Sequence, residues 1–220
     1  MWRTSWLAVL VTLLASTPVV AQVCAGFPSF RGRPIQIVGA AAFNDNSKTF
    51  GGGVGFGGAG AFGSLELVTA HIDAFDASAF VVGGSVGYQV PLDKKGAVQL
   101  CPGAGVEFAI GPKNINGTGV DYSETDVSLG VSVGVVAART AKVDVVPTGA
   151  IAFAHSDGKL KDASGNSVSN SEWFGVVGFG IGFVFSYQVS IRPAVSIPFG
   201  VNGASTSFGV TLAVNFGGAR

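Results

Sequence analysis

The sequence predicts an all-β protein, a closed antiparallel up-and-down transmembrane β-barrel of ten strands. In the last predicted strand, from Ser207 to Phe216, large apolar residues alternate with small or polar ones, so the strand has two different faces. Only 12% of the residues are charged and 48% are hydrophobic. After residue 21 no segment offers about 18 uninterrupted apolar residues, which argues against helical spans. In lipid, all backbone N–H and C=O groups of the strands find hydrogen-bond partners only when the sheet closes into a barrel.

The first 21 residues have the pattern of a cleaved signal peptide. Arg3 precedes an apolar stretch from Trp6 to Leu14, and Pro18 and the small residue Ala21 follow it. That stretch is shorter than the roughly 20 residues that a membrane span needs. We therefore expect an exported chain with four parts: the signal peptide 1–21, a periplasmic amino-terminal segment 22–32, the barrel 33–216 and a short periplasmic tail 217–220.

Turn-forming clusters divide the barrel region into ten alternating runs, each long enough for a tilted membrane strand of roughly 9 to 11 residues. In chain order the runs cover approximately 33–43, 50–62, 64–75, 78–90, 97–109, 124–138, 141–154, 172–186, 189–199 and 204–216. The third is the least regular, because Glu66, His71 and Asp73 do not share one parity, which is typical of a β-bulge. Merging the third and fourth runs around Asp76 and Ala77 would give an alternative barrel of eight strands.

Connection lengths agree with ten strands whose two ends lie in the periplasm. The odd-numbered connections then become extracellular, and they include the two longest, 111–123 and 156–171, which we expect to be exposed loops. The even-numbered connections are short turns. Aromatic residues fall at both predicted rims: Phe43, Phe50, Phe153, Trp173 and Phe199 at the outer one, and Phe62, Tyr88, Tyr187 and Phe216 at the inner one.

With a signal peptide, alternating strands, unequal loops and an aromatic residue at the end of the last strand, the chain resembles the small bacterial outer-membrane β-barrel proteins over essentially its whole mature length. The resemblance implies a location in the bacterial outer membrane, lipid neighbours, and recognition of the last strand by the barrel-assembly machinery. The residues that would form this assembly signal are Ser207, Gly209, Leu212, Val214 and Phe216. Four residues follow Phe216, whereas many members of the family end at the aromatic residue.

The two cysteines of an exported chain favour a disulfide over a metal site. Cys101 lies a few residues beyond a predicted periplasmic turn, and an extended segment from Cys24 to Arg33 is long enough to reach it. Such a bridge would contribute about 4 kcal/mol by constraining the unfolded chain, and it would hold the amino-terminal segment at the inner mouth. The alternative is two free thiols.

Alternate residues of a strand face the same side, and this rule predicts that four charged residues face the lumen: Glu107, Asp126, Asp144 and Arg192. Charged groups inside a barrel avoid lipid, and these four would either line a water path or pair into a structural plug. Ten strands give a backbone radius of roughly 10 Å. Because glycine, alanine and serine dominate the predicted inward positions, a narrow lumenal space should remain.

These features predict a narrow passage or binding cavity for small solutes. The alternative is a closed structural or surface-interaction barrel that acts through its extracellular loops, since one fold hosts many functions. His71 and His155 each have an aspartate two residues later near the outer rim, where the omptin proteases also have catalytic groups, but the Asp-Asp pair of those enzymes is missing. We expect no enzyme activity, no cofactor and no metal. A net charge of zero gives no reason to expect a nucleic-acid partner.

Overall fold

The computed structural model describes residues 23–217, apart from 28–29, 31–32, 59, 74–75, 113, 116–117, 141, 163, 187 and 202–203. The predicted signal peptide and residues 218–220 lie outside the described residues, as does Tyr187 of the predicted inner aromatic rim. Among the described residues, no helix is long and apolar enough to cross a membrane.

Ten antiparallel strands form one closed sheet. They are β1 Ile35–Phe43, β2 Ser47–Gly57, β3 Ala61–Ile72, β4 Ala77–Tyr88, β5 Val98–Ile110, β6 Thr118–Val135, β7 Val143–Asp162, β8 Ser167–Phe185, β9 Val189–Phe199 and β10 Ser207–Phe216. Each strand pairs with its neighbours in the chain, and β1 closes the barrel against β10 with Ile35 opposite Phe216. Three two-residue strands, Val90–Pro91, Asn114–Ile115 and Ala138–Arg139, extend the sheet near its rims. The predicted ten-strand barrel is confirmed, and β3 and β4 are separate strands.

The outside of the barrel is apolar because every strand keeps its period of two. In β10, Phe208, Val210 and Leu212 are about half exposed, whereas Thr211 and Ala213 face the lumen and are buried. Exposing this many large apolar side chains to water would be strongly unfavourable, at about 25 cal/mol per Å² of apolar surface. The apolar exterior is therefore a lipid-facing surface.

Aromatic pairs mark the outer rim of this surface. Phe43 and Phe50 pack edge to face with ring centroids 5.7 Å apart, and Phe153 and Phe199 do so at 5.8 Å. Trp173 is 68% exposed at the same rim. At the opposite rim Tyr88 and Phe216 point outwards and are exposed, as predicted.

The prediction for Phe62 is wrong. β2 ends at Gly57 and β3 begins at Ala61, with a φ of +112° at Gly60, so the chain reverses before Gly63 and Ser64. Phe62 therefore belongs to β3, whose even-numbered residues face inwards, and it is only 5% exposed in the lumen. The sequence predicts Phe62 in the preceding strand, and even-numbered residues face outwards in β2 but inwards in β3.

The predicted β-bulge in the third run is also absent from the described strand. From Ala61 to Ile72, β3 stays in continuous register with β4, and it pairs regularly with β2 as well. Glu66 consequently faces the lumen, and His71 lies on the outer side of the sheet at the outer rim. The irregular appearance of the sequence arose because His71 and Asp73 already lie at the rim, where polar side chains can face outwards without entering lipid.

Strands occupy most of the two segments that were predicted to be long loops. β6, β7 and β8 contain 18, 20 and 19 residues. β7 pairs with β8 as far as Lys161 and Ser167, and with β6 as far as Asp162 and Val120. At about 3.3 Å per residue, this three-stranded extension rises roughly 20 Å beyond the outer aromatic rim. In the orientation that the sequence predicts, with both chain ends on the periplasmic side, this extension lies outside the cell, and we call it the extracellular sheet: residues 118–125, 155–162 and 167–173.

Candidate functional site

A short segment before β1 enters the periplasmic end of the lumen. Val23–Ala25 forms one 3-10 turn, and the amide of Gly26 donates a hydrogen bond to the carbonyl oxygen of Val23 at 3.2 Å. Cys24, Phe27 and Phe30 are almost completely buried. We call residues 23–27 and 30 the plug. The plug lies inside the barrel wall, although the sequence suggested only a periplasmic segment beside the inner mouth.

The predicted disulfide between Cys24 and Cys101 is present and ties the plug to β5. The two half-cystines are 1% and 3% exposed. Phe30 from the plug and Phe62 from β3 pack in the same buried cluster as the disulfide. The bridge therefore fixes the plug to the wall inside an apolar cluster.

Glycines in the wall form the seat of the plug. A Cβ at Gly134 of β6 would overlap the carbonyl group of Val23, and one at Gly182 of β8 would overlap the main chain of Gly26. A Cβ at Gly57 of β2 would overlap the ring of Phe30. On a further side, Phe27 packs in a buried cluster with residues of β1 and β10. The plug thus contacts opposite sides of the bore.

Arg192 lies at the same level as the plug. Its side chain is 4% exposed, and Nε and Nη2 donate to Thr148 Oγ1 at 3.4 and 3.3 Å. A Cβ at Gly180 would be 2.7 Å from Arg192 Nε, and one at Gly26 would be 3.2 Å from Arg192 Cδ. Arg192 therefore packs between the wall and the plug and fills more of the periplasmic end of the bore.

Beyond the plug, carboxyl side chains line one side of the lumen towards the outer mouth. They are contributed by β3, β5, β6 and β8, and we call them the acidic wall: Glu66, Glu107, Glu124, Asp126 and Glu172. Glu107 and Asp126 are partners in the register of β5 and β6. A Cβ at Gly83 would lie 2.9 Å from Glu66 Oε1 and 3.0 Å from Glu107 Cγ, so these two side chains approach each other.

Hydroxyl groups hold the outer part of the acidic wall. Glu124 accepts hydrogen bonds from the hydroxyl groups of Tyr122 and Ser156, and all three side chains point inwards. Tyr122 also packs on a buried apolar cluster from β3, β4 and β5. Within the described residues, Asp126 Oδ1 is buried without a hydrogen-bond partner. The outer half of the lumen therefore combines packed apolar side chains with closely spaced carboxyl groups.

The four charged residues predicted for the lumen all face inwards, but they lie at three levels. Glu107 and Asp126 belong to the acidic wall, and Arg192 packs on the plug. Asp144 lies at the periplasmic end of β7, where Arg139 Nε is 3.5 Å from its Oδ2. Parity specifies the face of a strand residue but leaves its height along the barrel open, because height depends on register and tilt.

Sequence reasoning missed three members of the acidic wall. Glu124 shares the parity of Asp126 in β6, and Glu172 lies at the start of the predicted eighth strand, so the same parity argument would have found both. Glu66 was set aside because the third run looked irregular. The residues of the predicted assembly signal all lie on β10, and their recognition by the assembly machinery stays a prediction.

Two of the cavities in the lumen lie beside the acidic wall. The larger, about 120 Å³, lies next to Glu107, Ser128 and Phe174, and the rest of its lining is mostly glycine, alanine and serine. A smaller cavity of about 40 Å³ lies beside Glu66. In the part of the chain that the structure describes, no group of three or more His, Cys, Asp and Glu residues could hold a metal ion.

The two histidines at the outer rim lie apart from these cavities. His71 Nε2 is 3.7 Å from Asp73 Oδ1 and 3.6 Å from Asp76 Oδ1. His155 Nε2 is 3.4 Å from Asp157 Oδ2, and its ring packs on Trp173 with centroids 4.7 Å apart. Each histidine therefore has its own acidic neighbours on the outer side of the sheet.

Comparison with solved structures shows the fold of bacterial outer-membrane barrels. The β-domain of the Bordetella autotransporter BrkA superposes with a TM-score of 0.51 at 12% identity, over 84% of this chain and 100% of that chain. Neisserial surface protein A gives a TM-score of 0.42 at 12% identity, over 84% of this chain and 96% of that chain. The porin KdgM gives 0.41 at 10% identity, over 82% and 99%. No protein-family model and no curated protein sequence matches the chain.

The fold and the lipid-facing exterior together identify an integral β-barrel protein of the bacterial outer membrane. A closed sheet leaves no unpaired strand edge inside the bilayer, and its apolar outer surface matches the hydrocarbon.

Proposed function

We propose that this outer-membrane protein is a closed barrel that acts at the cell surface and does not pass solutes into the periplasm. The observation that carries the proposal is the plug. At one level of a bore with a backbone radius of roughly 10 Å, the lumen holds the disulfide, Phe27, Phe30 and Arg192. The plug is held in the bore by buried contacts with opposite sides of the wall and by the disulfide to β5.

The surface that we propose to act is the extracellular sheet. Val168 is 58% exposed there. β9 pairs with β8 only from Gly175 to Phe185, so within the described residues the segment 167–173 has an edge without a β9 partner. A free strand edge can accept an extended segment of another molecule through main-chain hydrogen bonds. We assign no catalytic role to the rim histidines.

The test is single-channel conductance of the folded, oxidised protein in planar bilayers, with heat-dependent gel mobility as evidence that the barrel has formed. We expect no conductance steps. A positive control lacks residues 22–32 and carries Cys101→Ser, and its unplugged bore should give discrete steps. Steps of similar size from the oxidised full protein would contradict the closed barrel and favour a narrow passage.

A second candidate function is supported by the acidic wall. The cavity of about 120 Å³ combines the carboxyl group of Glu107 with the apolar side chain of Phe174, a setting that suits a small cation with an alkyl part. Titration calorimetry of the folded barrel with putrescine tests this candidate. Glu107→Gln should weaken binding at least tenfold, whereas the periplasmic control Asp144→Asn should not. An unchanged affinity in Glu107→Gln would contradict the binding cavity.

A further inference from the structure

We infer that the Cys24–Cys101 disulfide forms before the barrel closes, by reaction of the unfolded or partly folded chain with a protein dithiol oxidase of the periplasm. The inference concerns the order of assembly and goes beyond the proposed function. It starts from where the bridge lies: both half-cystines are almost fully buried, inside the wall of a closed sheet. Phe30 and Phe62 pack in the same buried cluster.

The chemistry requires a large molecule to reach these sulfurs. One cysteine thiolate attacks the disulfide of the oxidase, forming a mixed disulfide and releasing one oxidase thiolate. The second cysteine thiolate then attacks the first cysteine sulfur, so the intramolecular bridge forms and the oxidase leaves as a dithiol. Two protons and two electrons leave the chain, and the oxidase disulfide accepts the electrons. In the second step the oxidase is still attached to the sulfur under attack.

The finished barrel has no room for that second step. Cys101 lies on the lumenal face of β5, between the ends of the strand, in a bore with a backbone radius of roughly 10 Å. If Cys24 carried a protein oxidase, its sulfur could approach Cys101 only by bringing the oxidase into the bore. A protein domain is wider than the bore, so the approach is blocked.

The fit of the plug supports the same order. The plug main chain lies directly against Gly134 and Gly182, and the ring of Phe30 lies against Gly57, with no space for even one Cβ between them. Phe27 and Phe30 would have to pass between these close walls if the plug entered last. A sheet that closes around a plug already bound to β5 avoids this step, because the pairing of β1 with β10 that completes the barrel would then follow the seating of the plug.

The test adds a purified thioredoxin-fold dithiol oxidase, in its disulfide form, to the reduced full chain at two stages. In one arm the chain is unfolded in urea, and in the other it has already folded in detergent micelles. Disulfide formation is followed by the gel shift of a thiol-reactive polymer after denaturation. We expect oxidation of the unfolded chain and at least tenfold slower oxidation of the folded barrel. Equal rates in the two arms would overturn the inference.

Two further measurements complete the design. A chain with Cys24→Ser, Cys101→Ser and Lys94→Cys carries one thiol on an exposed periplasmic turn, and it should form a mixed disulfide with the oxidase rapidly after folding. This control shows that the oxidase accepts a micelle-bound barrel. If the reduced native chain forms no barrel until it is oxidised, the order is also supported, because closure then requires the bridge.

Discussion

Gly134→Ala should displace the plug by adding a single methyl group. The new Cβ would overlap the carbonyl group of Val23 and would lie 2.8 Å from the amide nitrogen of Cys24. Both contacts involve main-chain atoms, so no change of rotamer relieves them. Overpacking of this kind costs about 1 to 3 kcal/mol. Leaving the seat instead exposes Phe27 and Phe30, at about 1.5 to 3 kcal/mol each. We therefore expect about 2 kcal/mol of destabilisation of the seated plug.

The assay is the rate at which dithiothreitol reduces the disulfide of the folded barrel. If the plug opens and closes rapidly compared with reduction, a change of about 2 kcal/mol raises the open fraction and the rate roughly 30-fold. The matched control is Gly178→Ala in β8, where a Cβ meets nothing closer than 3.9 Å. That control should leave the rate within twofold of the original. A Gly134→Ala barrel that is reduced no faster than the control would refute the seat described above.

Two other predictions concern the barrel seam and a periplasmic turn. Gln36 Nε2 donates to Asn215 Oδ1 at 2.7 Å in the buried seam between β1 and β10, so Gln36→Leu should lower the free energy of unfolding in urea by about 1 to 2 kcal/mol. Unchanged stability would mean that the bond adds nothing to closure. At the other site, hydrogen bonds from main-chain amides, first that of Val98, lower the pKa of Asp93. Because the folded-state pKa is depressed, this stabilisation is complete above the ordinary aspartate pKa and is lost as pH falls through the lowered value. At pH 6, the Val98 amide of the original protein should exchange its hydrogen with solvent more slowly than the Val98 amide of the Asp93→Asn variant. Below the lowered pKa of Asp93, the two proteins should show the same exchange rate. Equal rates at pH 6 would contradict the prediction.

Local pattern was enough to predict the barrel because each strand repeats with a period of two. Phe208, Val210 and Leu212 alternate with small or polar residues, so they lie on one face of the strand. This apolar face must be the outer one, because the outer surface of the barrel contacts lipid. The same reasoning placed Arg192 in the lumen. It failed at Phe62, because β3 begins at Ala61 and not after the turn predicted at Gly63 and Ser64.

The length of the extracellular sheet could not be predicted from the local sequence pattern. Residues such as Ser167, Ser169 and Asn170 are typical of loops, yet they pair with β7 in regular register. Above the bilayer, neither face of a strand must be apolar, so the alternation that revealed the membrane strands disappears there. Pairing with β7 and with β6 behind it, and not the propensity of these residues, makes this segment a strand.

By itself, the sequence favoured ten strands over eight and a disulfide over two free thiols, and it predicted the lipid-facing surface and the inward direction of Glu107, Asp126, Asp144 and Arg192. These properties follow from nearest-neighbour alternation and from the presence of only two thiols. The tertiary structure alone decided that residues 23–27 and 30 enter the bore, that glycines on β2, β6 and β8 form their seat, and that the carboxyl groups gather on one wall. Those contacts join residues far apart in the chain, and their heights depend on the register and tilt of a closed sheet, which no local pattern records.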